Sequence, residues 1–189
     1  GIWGSEWAGL KWFRRFWESY QCLDVISNTL ILSIALLVCT FPIPILFALL
    51  VNQYKNGIFR KTLQTVSYAP HFISTVVMVG MILMFLSPSS GLYGSLAKVA
   101  GFEPRNVMGD CALFRPIYIL SEIWQQTGWD SIIYIAALSA VDVDLYDAAR
   151  VDGAGRLKRI LHIDIPALRD TAVVILILRI GNIMSLGFE

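Results

Sequence analysis

The sequence predicts an all-α fold, a polytopic bundle of transmembrane helices. Of its 189 residues, 56% are hydrophobic and only 15% are charged, whereas an ordinary soluble domain is roughly half apolar and about one-quarter charged. Four stretches also approach the ~20 apolar residues that a helix needs to cross a bilayer. We therefore expect four spans, at residues 28–51, 66–86, 116–141 and 167–188. Because the chain begins without Met and stops after an apolar run, we expect a fragment truncated at both ends.

Residues 1–27 precede the first span and combine bases with aromatic side chains. Lys11, Arg14 and Arg15 alternate with Trp12 and several other aromatic residues. This composition is typical of an amphipathic segment that lies in the membrane interface, so we expect residues 1–27 to do so on the external face. The first span contains no charged residue, and its two prolines, Pro42 and Pro44, predict a kink.

The second and third spans are less uniform. Residues 66–86 carry Pro70 and His71 near their start, and the turn residues that follow indicate an external loop at 87–115. Residues 116–141 contain Glu122, Asp130 and a glutamine pair, so the polar side of this span must face protein or water. In the fourth span, Arg179 and Asn182 must likewise face the interior, and Glu122 is a candidate partner for Arg179.

The loop at residues 142–166 has the most informative pattern. Like residues 52–65, it is rich in Lys and Arg, which places both loops on the cytoplasmic face. It reads as two short helices, the first capped by Asp144 and stopped by Gly153 and Gly155. In the second, an apolar stripe faces one way and three bases face the other, and Pro166 begins the fourth span. The stripe is Leu157, Ile160 and Leu161, and the bases are Arg156, Lys158 and Arg159.

A spaced motif runs through this loop: Asp147-Ala148-Ala149, three residues, Gly153, nine residues, then Ile163-Asp164-Ile165-Pro166. It resembles the EAA motif of binding-protein-dependent ABC permeases, with Asp147 in place of Glu and Ile165 in place of Leu. Further segments are similar to the oligosaccharide and polysaccharide branch of the maltose-type carbohydrate permeases. These segments are residues 9–13, 64–74 and 128–134.

The resemblance implies a permease of an ABC type I importer, with residues 28–189 as its transmembrane domain and 142–166 as a cytoplasmic coupling loop. Such a subunit is a multi-pass protein of a prokaryotic cell membrane that translocates a sugar or oligosaccharide. Its partners would be an ATP-binding cassette ATPase, a second homologous permease and an extracellular solute-binding protein. The residues that would couple to the ATPase are Asp147, Ala148, Ala149, Gly153, Ile163 and Pro166.

Other chemistry is not indicated. The formal net charge of +1 does not suit a nucleic-acid partner. Three scattered cysteines without CxxC spacing predict neither disulfides nor a metal site. The sequence lacks the G-x-x-x-x-G-K-[ST] loop that cradles phosphates, so we expect ATP to be bound by the partner ATPase and no cofactor or catalytic residue on this chain.

Several alternatives stay open. Gln125, Gln126, Trp129 and Asp130 are either polar packing between helices or part of a sugar path, where an aromatic face stacks on a sugar ring and amides bind hydroxyls. The same loop serves ABC permeases for non-sugar solutes. A membrane enzyme or a secondary carrier is the remaining possibility, the carrier using a proton relay of His71, Glu122 and Arg179.

Overall fold

The computed structural model describes residues 9–54 and 57–183, which form helices and no strand. The α-helices of these ranges are α1 Lys11–Trp17, α2 Cys22–Thr40, α3 Pro42–Asn52, α4 Gly57–Tyr68, α5 Thr75–Phe85, α6 Leu92–Val99, α7 Cys111–Ser139, α8 Val143–Val151, α9 Arg156–Arg159 and α10 Ile165–Gly181. Two 3-10 turns, Ala69–Phe72 and Val107–Gly109, and one π-helical turn, Ile160–Asp164, complete these elements. The expectation of an all-α bundle is confirmed.

The first apolar stretch is longer than expected. Helices α2 and α3 together run from Cys22 to Asn52, and by length and composition this stretch could cross a membrane. It begins six residues before 28, inside the segment expected to lie in the interface. Pro42 and Pro44 cannot donate backbone hydrogen bonds, yet Phe41 keeps helical angles (φ −70°, ψ −47°). The helical course therefore continues across both prolines.

The second apolar stretch does not form the single helix expected at 66–86. Helix α4 and the 3-10 turn after it meet α5 at an angle of 96°. Pro70 lies in the 3-10 turn, and Ser74 then caps α5 by accepting a hydrogen bond from the Val77 N–H at 3.4 Å. Counted as one bent span, this pair is the second stretch of the described chain that is long and apolar enough to cross a membrane. Helices α7 and α10 do not meet that criterion, so the count of four spans stays a prediction.

Helix α7 is the centre of the bundle and packs against α2, α3, α4 and α10. It begins five residues before the expected Pro116, because the Asp110 carboxylate accepts a hydrogen bond from the Ala112 N–H at 2.9 Å and caps the helix there. Pro116 therefore lies inside α7. The buried core joins α7 to α3 and α10 and consists of Ala48, Leu49, Val51, Tyr134, Ile135, Leu138 and Leu168.

The outer surfaces of these helices are apolar. Val38 on α2, Val76 on α5 and Ile177 on α10 are more than half exposed, and many other large hydrophobic side chains are exposed with them. A contiguous apolar exterior marks a surface that contacts lipid or another apolar partner. The buried polar side chains Ser33, Gln125, Ser131 and Asp164 lie inside the bundle instead.

Helices α4 and α7 approach each other at Gly128. A Cβ atom built on Gly128 would lie 1.9 Å from the Ser67 carbonyl oxygen, so only glycine fits this contact. We expect Gly128→Ala to lower the free energy of unfolding in detergent by about 1–3 kcal/mol, since backbone must move to relieve the overlap. The measurement is thermal unfolding of the full-length protein.

Gly80→Ala is the matched control, because Gly80 lies inside α5 and its Cβ would meet nothing within 4 Å. This variant should be neutral or slightly stabilising. Equal destabilisation of the two variants would contradict the close approach at Gly128.

Candidate functional site

A polar cavity of about 440 Å³ lies between α2, α7 and α10. Glu122, Gln126 and Asp130 reach it from one face of α7, because positions i, i+4 and i+8 of a helix align. Its other polar lining residues are Ser33 and Thr40 from α2, Arg179 from α10, and Asn182 just after α10. The Ser33 hydroxyl is buried and has no hydrogen-bond partner among the described residues. The volume is in the range of small-molecule sites.

The charge inside this cavity is paired. One terminal nitrogen of Arg179 forms an ion pair with the Asp130 carboxylate, and the other donates to the Thr40 hydroxyl at 2.7 Å. Each side chain of the ion pair is only 26% exposed. Sequence analysis named Glu122 as a candidate partner of Arg179, but the described ion pair is with Asp130. Glu122 precedes Asp130 by eight residues, which is about 12 Å along the axis of α7.

The four residues considered for a sugar path lie in two different places. Gln126 and Asp130 line the cavity. Gln125 is 5% exposed and donates to the Ile73 carbonyl at 2.8 Å, which satisfies backbone at the bend between α4 and α5. Trp129 stacks on the His71 ring at 4.3 Å, and His71 Nδ1 lies 2.8 Å from the Gln126 side-chain oxygen. Gln125 and Trp129 therefore make packing contacts, and the sugar path stays a prediction for all four residues.

The loop after α7 contains the two short helices that its sequence predicts. Asp142, rather than Asp144, is the N-cap of α8, since its carboxylate accepts from the Asp144 N–H at 3.0 Å. Gly153 follows α8 with φ +72°, a left-handed conformation that other residues rarely adopt. Asp147 forms an exposed ion pair with Arg150 at 2.5 Å.

Apolar side chains of this loop are exposed. Leu145, Val151, Leu157 and Leu161 are all more than half exposed, and Ala148 is exposed beside them. Ile160, expected to share a stripe with Leu157 and Leu161, packs against the core instead. The loop therefore presents an unpartnered apolar surface next to the small residues of the motif.

Pro166 does not start a new helix. The helical course is continuous from Arg156 to Gly181, and a π-helical turn at Ile160–Asp164 comes just before Pro166. A proline ring clashes with the carbonyl four residues earlier, here that of His162, and a wider π turn at this point gives that carbonyl room. Ile163 is half-buried within this turn, and Pro166 is exposed.

Asp164 is a buried carboxylate that the sequence analysis did not single out. It has no exposed surface, and its two oxygens accept from the Tyr146 hydroxyl at 2.5 Å and the Gln53 side-chain amide at 3.2 Å. Burial, and then the hydrogen bond and negative charge of Asp164, raise the pKa of Tyr146 to about 12. Asp164 therefore joins α8, the end of the first span and the start of α10. Its signal in the sequence is a single acid within an apolar run.

Within the described part of the chain, no group of three His, Cys, Asp or Glu side chains is arranged to hold a metal ion.

Comparison with known proteins identifies relatives over the whole chain. Residues 40–187 match the family model described as the binding-protein-dependent transport system inner membrane component. The polygalacturonan/rhamnogalacturonan transport system permease protein YteP of Bacillus subtilis is 46% identical over all 189 residues, and Protein LplB of the same organism is 39% identical. The chain covers 59% of each of these two proteins, so it spans about three-fifths of their length.

Solved structures give the same result. A bacterial ABC transporter involved in the import of the acidic polysaccharide alginate contains a chain that superposes with a TM-score of 0.91 at 40% identity. The match covers 99% of the present chain and 65% of that chain. A second structure of a bacterial alginate ABC transporter, in complex with an alginate pentasaccharide-bound periplasmic protein, matches with a TM-score of 0.89.

The Asp130–Arg179 pair gives a stability prediction. Asp130→Asn should lower the free energy of unfolding by about 2–3 kcal/mol, because Arg179 keeps its charge inside the bundle but loses its ion pair with Asp130. The double variant Asp130→Asn/Arg179→Gln should recover most of that loss. Asp170→Asn, which neutralises an exposed carboxylate of α10, is the control. Additive effects of the two substitutions in thermal unfolding would contradict the pairing.

Tyr146 gives a prediction on stability and pH. Tyr146→Phe should cost about 1–3 kcal/mol at neutral pH, since buried Asp164 loses a donor. In wild type, an unfolded tyrosine loses its proton near pH 10, whereas folded Tyr146 keeps it up to about 12. The stability contribution is therefore complete below pH 10 and is lost between pH 10 and 12.

The measurement is unfolding of wild type and variant from pH 7 to 12, and the variant should have a shallower alkaline slope. Tyr54→Phe is the control, because Tyr54 packs against Phe59 near the same end of the bundle. Parallel slopes in wild type and Tyr146→Phe would contradict the assignment.

Proposed function

The chain belongs to the family of inner membrane components of binding-protein-dependent transport systems, and from this premise we propose that it is part of the permease of an ABC importer for oligosaccharides. Its helices would form half of a translocation path through a prokaryotic cell membrane. A second, homologous permease would supply the other half, and an extracellular binding protein would deliver the solute.

The observation that carries this proposal is the surface of the loop at residues 142–166. Small Ala148 lies beside exposed Leu145, and Leu157 is exposed on the helix that follows Gly153, whose φ is +72°. An exposed apolar patch next to residues without bulk suits the docking of another protein. We propose that this partner is the ATPase subunit, which binds and hydrolyses ATP, and that the present chain hydrolyses nothing.

The path of the solute would pass through the polar cavity. Gln126 and the Ser33 hydroxyl offer donors and acceptors for sugar hydroxyls, and Thr40 and the Asp130–Arg179 pair extend the polar lining. The names of the relatives support a saccharide, since they refer to transport of polygalacturonan/rhamnogalacturonan and import of alginate.

Two other functions would use the same helices. A permease for a non-sugar solute would share the loop and differ in the cavity. A secondary carrier would run on an ion gradient and would not need the loop surface, and the exposure of Leu145 and Leu157 favours the importer over it.

Docking on the loop can be tested by copurification. In the full-length protein, Gly153→Trp should reduce recovery of the ATPase at least about tenfold and abolish oligosaccharide uptake, because a bulky residue strains a left-handed position and fills the docking surface. Asp147→Lys should act in the same direction by reversing a charge beside Ala148. Both variants should still insert, since a Cβ atom built on Gly153 would meet nothing within 4 Å and Asp147 is exposed.

The control is Gly101→Trp, which places the same residue at another left-handed glycine (φ +79°) in the predicted external loop, again with nothing within 4 Å. It should retain the ATPase. Unchanged ATPase recovery and uptake in Gly153→Trp and Asp147→Lys would refute the docking role. Uptake that continues after deletion of the ATPase gene would favour a secondary carrier.

A further inference from the structure

A second cavity, of about 170 Å³, lies between the coupling loop and the end of the first span. Three arginines line it, Arg150 from α8 and Arg156 and Arg159 from α9, together with the polar side chains of Asn52, Gln53 and Tyr146. The sequence predicted that Arg156, Lys158 and Arg159 face away from the apolar stripe of this helix. Arg156 and Arg159 share one face of α9, at positions i and i+3, and line the same cavity.

Two of the three arginines of this cavity have no ion pair within the described part of the chain. Arg150 pairs with Asp147, whereas Arg156 and Arg159 form no ion pair there. The Arg159 Nε atom is buried and has no hydrogen-bond partner in the same residues. The buried carboxylate nearby, Asp164, already accepts from Tyr146 and Gln53. A buried guanidinium nitrogen without an acceptor is costly, which indicates that an acceptor from outside the chain belongs here.

The position of the cavity separates it from the proposed docking surface. Val143, Tyr146 and Arg150 line it from one face of α8, at positions i, i+3 and i+7. Leu145 and Ala148 lie on the opposite face. The cavity therefore opens beside Asn52 and Gln53, at the end of the stretch Cys22–Asn52 that is apolar enough to cross a membrane. If this stretch spans the membrane as proposed, its end would lie at the depth of the phospholipid head groups.

We propose that this cavity binds one phosphate group through Arg156 and Arg159, with Arg150 as a third donor. Planar guanidinium groups bind phosphate oxygens with two parallel N–H bonds, and the cavity is large enough for one tetrahedral anion and little more. The chemistry fits either the head group of an anionic phospholipid or a free phosphate. The lipid source rests on the proposed membrane orientation, in which this end of the span is cytoplasmic, where basic pockets between helices bind anionic head groups.

The test uses the full-length transporter complex, purified and placed in nanodiscs of phosphatidylcholine with about 30% phosphatidylglycerol, an anionic phospholipid of the kind that basic pockets bind. Phosphatidylglycerol that stays bound after release into neutral detergent is counted by native mass spectrometry. Wild type should retain it, and Arg156→Gln/Arg159→Gln should retain it about tenfold less, as expected for the loss of charged hydrogen bonds. A parallel titration with inorganic phosphate alone tests for the soluble source.

Lys158→Gln is the matched control, because it removes the same charge from the same helix at an exposed position outside the cavity. Arg159→Lys keeps the positive charge but loses the two parallel N–H bonds of a guanidinium group. Its retention of phosphatidylglycerol should therefore lie between those of wild type and the Arg156→Gln/Arg159→Gln variant. Phosphatidylglycerol lost only in the arginine variant supports the site with lipid as its source. Inorganic phosphate bound only by wild type and Lys158→Gln supports it with soluble phosphate.

Two results would overturn the site. The first is equal retention of phosphatidylglycerol by wild type and the Arg156→Gln/Arg159→Gln variant, with no binding of inorganic phosphate by either. The second is loss of the ATPase together with the lipid in that variant, which would show that these arginines contact the ATPase. Failure of the importer proposal looks different. In that case uptake would not need the ATPase. The lipid and phosphate measurements would still report whether the cavity binds a phosphate group, because they do not depend on transport.

Discussion

The ion pair of Arg179 with Asp130 is the interaction around which the interior of the bundle is arranged. A charge among apolar helices must face another charge or water, so Arg179 fixes which side of α10 turns inward, and Asp130 does the same for α7. The Thr40 hydroxyl accepts a further bond from Arg179 and draws in α2. Helices α2, α7 and α10 therefore enclose a polar cavity around this contact. Because their polar side chains point inward, their outer faces are apolar.

A buried charge is stabilised differently at the end of the bundle near the loop at residues 142–166, where neutral donors take the place of an opposite charge. Asp164 is wholly buried and is satisfied by two neutral donors, Tyr146 from α8 and Gln53 from the first span. The loop is therefore attached to the spans by directional polar bonds, not by apolar contact alone. A displacement of α8 would act on α10 and on the first span through a single carboxylate.

The sequence was sufficient for the features that depend on local pattern. Apolar length indicated the helical membrane fold, and the spacing from Asp147 to Pro166 located the loop and the family. Sequence-based prediction failed where a feature depends on a contact with a residue distant in the chain. The bend near Pro70 includes the Ile73 carbonyl, which accepts a hydrogen bond from Gln125 of the distant helix α7. The pairing of Arg179 with Asp130 depends on how α10 and α7 are placed along each other's length. Asp164 stands in the motif as a single acid within an apolar run, but its burial depends on donors distant in sequence, Tyr146 and Gln53, which no local pattern indicates.

The π-helical turn before Pro166 has a consequence for how this family can vary. Such a turn holds one residue more than an α-helical turn, and each residue added to or removed from a helix rotates everything after it by about 100°. Arg179 lies about four turns further along α10, so its inward direction is set by the length of Ile160–Asp164 as well as by its own position. An insertion or deletion in this short turn would therefore rotate Arg179 away from Asp130, whereas a substitution that keeps the turn would leave the direction of Arg179 unchanged.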